Sequence, residues 1–310
     1  MSHPIGPLDV LAPEAIAFAW RFEATVVVPV VAGAALYLSG WAALRSRMPG
    51  RFGAGRATAF AAGLGVVLVA LCSPIDALGH RWLQAHMVQH LLLMVVAPPL
   101  LWMGAPVAPL LRGLPRRARR AVASVLGTGL MRGLTRILTD PRVAWVSFVV
   151  AFWAWHAPAL YGLALRSDLW HHVEHASFFL TALLFWHPVI APWPARQAWS
   201  RWGMIAYLLL AEAQATLLSA ILTFSDRVIY PAYQAGGGVR GLSPLEDQAL
   251  AGVIMWVPGS IAFTLALLVY GFGATIGGLA YERWPALVAV LPFAAVAVVV
   301  AAAARAGMRR

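Results

Sequence analysis

The sequence contains no lysine, a single cysteine and few charged residues of either sign. Only 11% of its 310 residues are charged, 61% are hydrophobic, and the mean hydropathy is +0.75. This composition excludes an ordinary soluble globular domain. The lone Cys72 excludes an intramolecular disulfide framework and any CxxC metal or redox motif. The net charge of +11 comes from arginines clustered between apolar runs, which indicates cytoplasmic loops facing anionic lipid and no nucleic-acid partner.

Apolar runs of about twenty residues recur along the chain, which is the length that crosses a bilayer as a helix. Because backbone polar groups must be satisfied internally in lipid, we expect an all-α, polytopic helical membrane bundle with seven to eight transmembrane helices. Residues 1–310 are then one integral membrane domain. The predicted spans are Phe22–Trp41, Thr58–Cys72, His86–Pro106, Val143–Tyr161, Leu169–Val189, Met204–Phe224, a seventh from about Gln248, and an additional apolar helix at about 285–304.

Arginine placement predicts the orientation of these spans. Arg45, Arg47, Arg51 and Arg56 follow the first span, so the positive-inside rule makes this loop cytoplasmic and puts the N-terminus outside. The basic segment from Arg112 to Arg142 is predicted to be an amphipathic segment at the cytoplasmic lipid surface.

Histidines gather near the outer ends of three predicted spans. His86 and His90 are four residues apart, as are His171 and His175, so each pair shares one helix face. His156 lies at the same depth on a third span, and the combined set predicts a metal or haem site. Histidines at an interface also serve as plain hydrogen-bonding groups, the interpretation that we give to His80, His172 and His187.

Imidazole and thioether groups suit copper best, and imidazole also binds zinc and iron. Met87, Met94 and Met255 are thioether candidates, and Glu174 or Asp247 is placed to orient a ligating ring or to ligate directly.

Four motifs in this order carry a family resemblance: HMVQHLLLMVVAPPLLWMGAP, WAWHAPALYGLAL, HHVEHASFFLTALLFWHPV and EDQALAGVIMWVPG. Over about residues 20–270 the sequence resembles the multi-spanning CtaG family of cytochrome c oxidase assembly factors, which is associated with caa-type oxidases. The resemblance implies a non-enzymatic protein of the bacterial cytoplasmic (inner) membrane that aids metallation of a haem-copper oxidase subunit by handling copper, as Cu(I), on the outer side. The matching positions are His86, His90, His156, His171 and His175 as metal ligands, with Glu174, Asp247, Met255 and Met87 in support.

Other functions remain open at the level of sequence. Paired histidines also fit a bis-histidine haem membrane cytochrome or a haem-modifying assembly enzyme, and Glu212 in mid-span fits a metal or proton transporter. The sequence disfavours a metalloprotease because neither HxxxH carries the glutamate of HExxH: position 87 is Met and position 172 is His. The sequence leaves a homodimer open.

Overall fold

A computed structural model describes residues 20–195, 197, 199–234 and 242–271, and this part of the chain is helical with no strand. The predicted eighth span at 285–304 lies outside the described residues. The helices are α1 Ala24–Arg45, α2 Ala54–Cys72, α3 Pro74–Gly79, α4 Leu83–Leu91, α5 Ala97–Met103, α6 Val107–Gly113, α7 Arg116–Leu126, α8 Gly129–Leu138, α9 Pro141–His156, α10 Pro158–Arg166, α11 Asp168–Ile190, α12 Arg201–Phe224 and α13 Pro244–Gly271. A π-helical segment, Leu92–Val96, joins α4 to α5, and a 3-10 turn covers Pro231–Gln234.

Six of these helical stretches are long and apolar enough to cross a bilayer, which confirms the predicted polytopic helical bundle. They are Ala24–Arg45, Ala54–Cys72, Leu83–Met103, Asp168–Ile190, Arg201–Phe224 and Pro244–Tyr270. The pair α8 and α9, bent by 63° at the break between them, counts as a seventh if it is one span.

The fourth predicted span, Val143–Tyr161, is interrupted in the structure. Helix α9 ends at His156, Ala157 is extended with φ −65° and ψ 129°, and α10 starts with Pro158. A residue before proline avoids the helical region, whereas proline itself is well suited to the first helical position. Pro158 therefore ends the span just after His156 and leaves this histidine at a helix terminus.

The stretch Leu83–Met103 is the central span, because 89% of its most apolar part is buried inside the protein. Pro98 has no N–H with which to bond the carbonyl of Met94 in the helix ladder. The Nε1–H of Trp186, on α11, donates to that carbonyl at 2.9 Å instead. Because the indole N–H replaces the missing backbone donor, the span forms a π-helical turn at Leu92–Val96 while the Met94 carbonyl stays hydrogen-bonded.

Helices α1 and α6 cross at two glycines. A Cβ atom on Gly40 would lie 1.9 Å from the carbonyl oxygen of Pro109, and one on Gly113 would lie 1.9 Å from that of Leu36. Such small residues allow close helix approach in membranes. The contact holds α1, otherwise largely exposed, against the rest of the protein.

The two ends of the bundle differ in charge. At one end of the bundle, α1 ends and α2 begins. There Arg51 lies over the ring of Trp193, which follows α11. This end carries the arginine-rich helices α7 and α8, in which no residue is buried. The opposite end, where α4 and α11 begin and α9 ends, holds the histidines.

Candidate metal centre

The five predicted histidines come together at one end of the bundle. On α4 the ring centroids of His86 and His90 are 4.2 Å apart, and on α11 those of His171 and His175 are 4.1 Å apart. Between the two helices, the centroid distance is 5.5 Å for both His86–His171 and His90–His175. The four-residue spacings thus place the histidine pair of α4 opposite the histidine pair of α11.

Glu174 lies between the rings of α4. Its Oε2 is 3.6 Å from Nε2 of His86, and its Oε1 is 3.8 Å from Nε2 of His90, with the carboxylate fully buried. Both distances exceed those of a direct hydrogen bond. The carboxylate therefore faces two imidazoles without being bonded to either. We call His86, His90, His156, His171, Glu174 and His175 the histidine cluster.

Four members of the cluster are close enough to hold one ion together. His86, His171, Glu174 and His175 offer ligand atoms that all lie within 4.8 Å of one another. Ligands about 2.1 Å from a shared ion are at most about 4.2 Å apart, so binding requires only a small inward movement of side chains. We refer to these residues as the four-ligand set.

His90 and His156 flank this set. The ring centroids of His90 and His156 are 6.2 Å apart, and Nδ1 of His156 lies 2.7 Å from the carbonyl oxygen of Phe152. A ring nitrogen that donates to a carbonyl must carry the proton, which leaves Nε2 of His156 with a free lone pair.

The cluster contains buried polar atoms that have no hydrogen-bond partner among the described residues. They are both ring nitrogens of His86 and of His90, Nε2 of His156, His171 and His175, and both carboxylate oxygens of Glu174. Leaving a buried polar atom unpaired costs about 1–3 kcal/mol. A bound cation would satisfy lone pairs on several of these atoms at once, so the donor set fits a metal ion.

The predicted supporting residues are placed differently. Asp247 accepts hydrogen bonds from the backbone N–H groups of Leu83 at 2.9 Å and Gln84 at 3.3 Å. These are two of the free donors at the start of α4, so Asp247 anchors the helix that carries His86 and His90. Met87 and Met255 are buried in the main apolar core.

Sequence reasoning missed a second polar group beside the cluster. Asp76, His80 and His171 offer ligand atoms within 4.8 Å of one another. Asp76 and His80 have the same four-residue spacing as the histidine pairs, and this signal was available in the sequence.

Three tyrosines close the cluster from the loop after α12 and from α10. The hydroxyl of Tyr230 donates to the carbonyl of His156 at 2.8 Å, and that of Tyr233 donates to the carbonyl of Gly79 at 2.9 Å. Since Tyr233 is already a donor there, the hydroxyl of Tyr161 donates to it at 2.9 Å. Burial raises the pKa of both Tyr230 and Tyr233, so these hydroxyls stay protonated.

The remaining singled-out polar residues lie apart from the cluster. The side chain of His172 is 54% exposed and contacts Glu23 at 3.3 Å. His187 packs against Trp102 near the arginine-rich end. Glu212 accepts hydrogen bonds from Thr216 and from Ser260, which joins α12 to α13.

A cavity of about 660 Å³ adjoins the cluster. Its polar end includes Asp76, His80, His171 and His175, and the rest is lined mainly by apolar residues of α1, α2, α5 and α11. The cluster is therefore reached from one side by a space that also contains Asp76 and His80.

Comparison with known proteins gives sequence relatives, while no solved structure matches. Uncharacterized proteins of Mycobacterium bovis and Mycobacterium tuberculosis are each 28% identical over 243 residues, and one of Mycobacterium leprae is 23% identical over 252 residues. The matches cover 76% of this chain, which spans about 36% of the length of these curated relatives.

The cytochrome c oxidase caa3 assembly factor (Caa3_CtaG) family matches residues 35–274. This range includes the whole histidine cluster and Asp247, and it agrees with the resemblance seen in the four sequence motifs. The chain belongs to the Caa3_CtaG family of cytochrome c oxidase caa3 assembly factors.

Proposed function

We propose that this protein binds copper through the histidine cluster and passes it, without catalysing a reaction, to a subunit of a haem-copper oxidase. The observation that carries the proposal is the convergence of five imidazoles and one carboxylate, nine of whose buried nitrogen and oxygen atoms lack hydrogen-bond partners among the described residues. Imidazole binds copper, zinc and iron. Membership in an oxidase assembly family favours copper, because a haem-copper oxidase requires it.

Charge balance supports Cu(I) as the cargo. Glu174 is fully buried, and the histidine rings around it are buried as well. Burying net charge is costly, and a monovalent ion beside one carboxylate with neutral imidazoles gives a set with no net charge. A divalent ion would leave an excess positive charge in the same apolar surroundings.

Transfer to a partner favours coordination that is easily exchanged. The four-ligand set lies beside a cavity, and its ligands come from two helices, α4 and α11.

We propose that this end of the bundle faces the outer side of the bacterial cytoplasmic membrane. The arginine-rich helices α7 and α8 lie at the other end, as the positive-inside rule requires of a cytoplasmic face.

The geometry favours a metal ion over the bis-histidine haem alternative. The rings within each HxxxH pair have centroids only 4.1–4.2 Å apart, and those of His86–His171 and His90–His175 are 5.5 Å apart. A haem held by two imidazoles needs its macrocycle between them, and rings this close leave no such gap.

Metal analysis of the full chain purified in detergent tests the proposal. We expect copper in the wild type by mass spectrometry, and no electron paramagnetic resonance signal if the ion is Cu(I). A variant with His86, His90, His171 and His175 all replaced by alanine should lose the copper. A control with His172→Ala and His187→Ala removes histidines outside the cluster and should retain it. Equal copper in the fourfold variant and the wild type would refute the proposal, and a Soret band in protein from haem-replete cells would favour haem.

A further inference from the structure

A second set of metal-ligating side chains lies between the histidine cluster and the protein surface. We call Asp76, His80 and His171 the mouth site; the ring centroids of His80 and His171 are 4.8 Å apart. Burial increases through the set, because His80 is exposed, Asp76 is half-buried and His171 is buried. The three residues therefore lead from solvent to the buried histidines.

His171 belongs to both sets. In the mouth site a ring nitrogen of His171 lies within 4.8 Å of the ligand atoms of Asp76 and His80. In the four-ligand set a ring nitrogen of His171 lies within 4.8 Å of those of His86, Glu174 and His175. Its Nε2 is buried and has no hydrogen-bond partner among the described residues. A single ring thus adjoins two groups of ligands, and rotation of that side chain is enough to face one or the other.

The Asp76 carboxylate is held in place by the helix that carries the buried ligands. Nε2 of Gln89 donates to Oδ1 of Asp76 at 2.8 Å and to the carbonyl oxygen of Ala70 at 2.9 Å. Gln89 is fully buried and lies on α4 between His86 and His90. One oxygen of Asp76 is therefore fixed, and no described residue donates a side-chain hydrogen bond to the other.

The charge around the cavity favours a cation at this position. Glu23, Asp76 and Asp168 line its polar end, together with one arginine, Arg21. Carboxylates that line a cleft raise the local concentration of cations and the rate at which they associate.

We propose that the mouth site loads the histidine cluster: Asp76, His80 and His171 take up Cu(I), and the ion then moves to the four-ligand set. The inference rests on the proposed copper-binding function. The transfer is an exchange of ligands with no change of oxidation state. Bonds from copper to Asp76 and His80 break as bonds to His86, Glu174 and His175 form, while the bond to His171 is retained.

Copper uptake by the full-length protein in detergent tests this assignment. The probe is Cu(I) added as its cationic acetonitrile complex, and quenched flow into bicinchoninate measures the copper that is still unbound at each time. The test variant combines Asp76→Asn and His80→Ala. The amide oxygen that Asp76→Asn introduces still accepts the hydrogen bond from Gln89, and His80 is exposed, so the fold is not disturbed. The control is His172→Ala, which removes another exposed histidine at the same end.

We expect the test variant to load about tenfold more slowly than the wild type, with a weaker dependence on ionic strength, as for a lost electrostatic steering site. Its copper content at equilibrium should equal that of the wild type, and the control should match the wild type in both. An unchanged loading rate would overturn the mouth site while leaving the proposed function intact. A lower copper content at equilibrium would also overturn it, by making Asp76 or His80 a ligand of the retained ion. A wild type that takes no copper would refute the proposed function itself.

Discussion

The indole N–H of Trp186 donates to the carbonyl oxygen of Met94 at 2.9 Å, the acceptor that Pro98 leaves without its helical donor. This contact joins α11 to the central span one turn after His90. It supports the π-helical segment that follows the histidine pair. The two helices that carry the four-ligand set are therefore tied together along the span as well as at the cluster.

Removing this hydrogen bond should destabilise the protein. We expect Trp186→Phe to lower the free energy of unfolding by about 1–3 kcal/mol, because the buried Met94 carbonyl loses its partner. The measurement is the unfolding midpoint in detergent. The control is Trp102→Phe. The indole of Trp102 donates to the carbonyl of Leu183, which is also in the helix ladder of α11, so the loss of stability should be smaller. In a background with both Pro98→Ala and Pro99→Ala, which restores a backbone donor to Met94 in either the α or the π pattern, Trp186→Phe should cost less, and an equal cost in both backgrounds would contradict this explanation.

The anchoring of α4 by Asp247 gives a second prediction. Asp247→Ala should cost about 1–2 kcal/mol of stability, because two backbone donors at the helix start lose their acceptor. It should also weaken copper binding in a chelator competition titration, since α4 carries His86 and His90. Asp226→Ala, at a carboxylate that is 94% exposed, should change neither quantity. Copper affinity equal to that of the wild type in Asp247→Ala would show that α4 needs no such anchor.

Replacing Glu174 should stabilise the copper-free protein but reduce the stability that the protein gains when it binds copper. Without copper, Glu174→Gln replaces a buried acidic group, whose oxygens have no hydrogen-bond partner among the described residues, with a neutral amide, so we expect a gain of about 1–3 kcal/mol in stability. With copper, the variant should gain less stability than the wild type, because one ligand and its balancing charge are lost. Thermal unfolding at several copper concentrations measures both effects.

The matched control for this prediction is Glu212→Gln. The amide oxygen introduced there still accepts the hydrogen bonds from Thr216 and Ser260, so both unfolding midpoints should stay near those of the wild type. If Glu174→Gln lowered the copper-free midpoint, the carboxylate would be a net stabilising group and the cost assigned to its burial would be wrong.

The orientation of the bundle can be tested with single cysteines in a Cys72→Ala background. Arg227, whose side chain is 87% exposed, follows α12 at the histidine end, whereas Arg132 lies on α8 at the arginine-rich end, in a helix with no buried residue. We expect a membrane-impermeant maleimide added to intact cells to label Arg227→Cys and not Arg132→Cys. The reverse labelling pattern would place the histidine cluster on the cytoplasmic side.

Much of the fold follows from local sequence patterns. Hydropathy predicts the spans because each depends on some twenty consecutive residues, and family membership confirms the resemblance carried by the four motifs. The prediction for the fourth span was wrong at its end, since the effect of Pro158 on the preceding residue outweighed the hydropathy of the segment. His80 was interpreted as a simple interfacial residue, although its spacing from Asp76 repeats that of the histidine pairs.

The sequence alone determined that His86 shares a face with His90 and His171 with His175, because helix geometry relates residues four apart whatever surrounds them. Only the tertiary structure decided that these faces oppose each other and that Glu174 lies between the rings of α4. It also decided that His171 adjoins both Asp76 and His86, and that Asp247 reaches the start of α4. These relationships join residues up to 164 positions apart. They depend on how whole helices pack, through contacts such as Trp186 with Met94, and no local pattern encodes that packing.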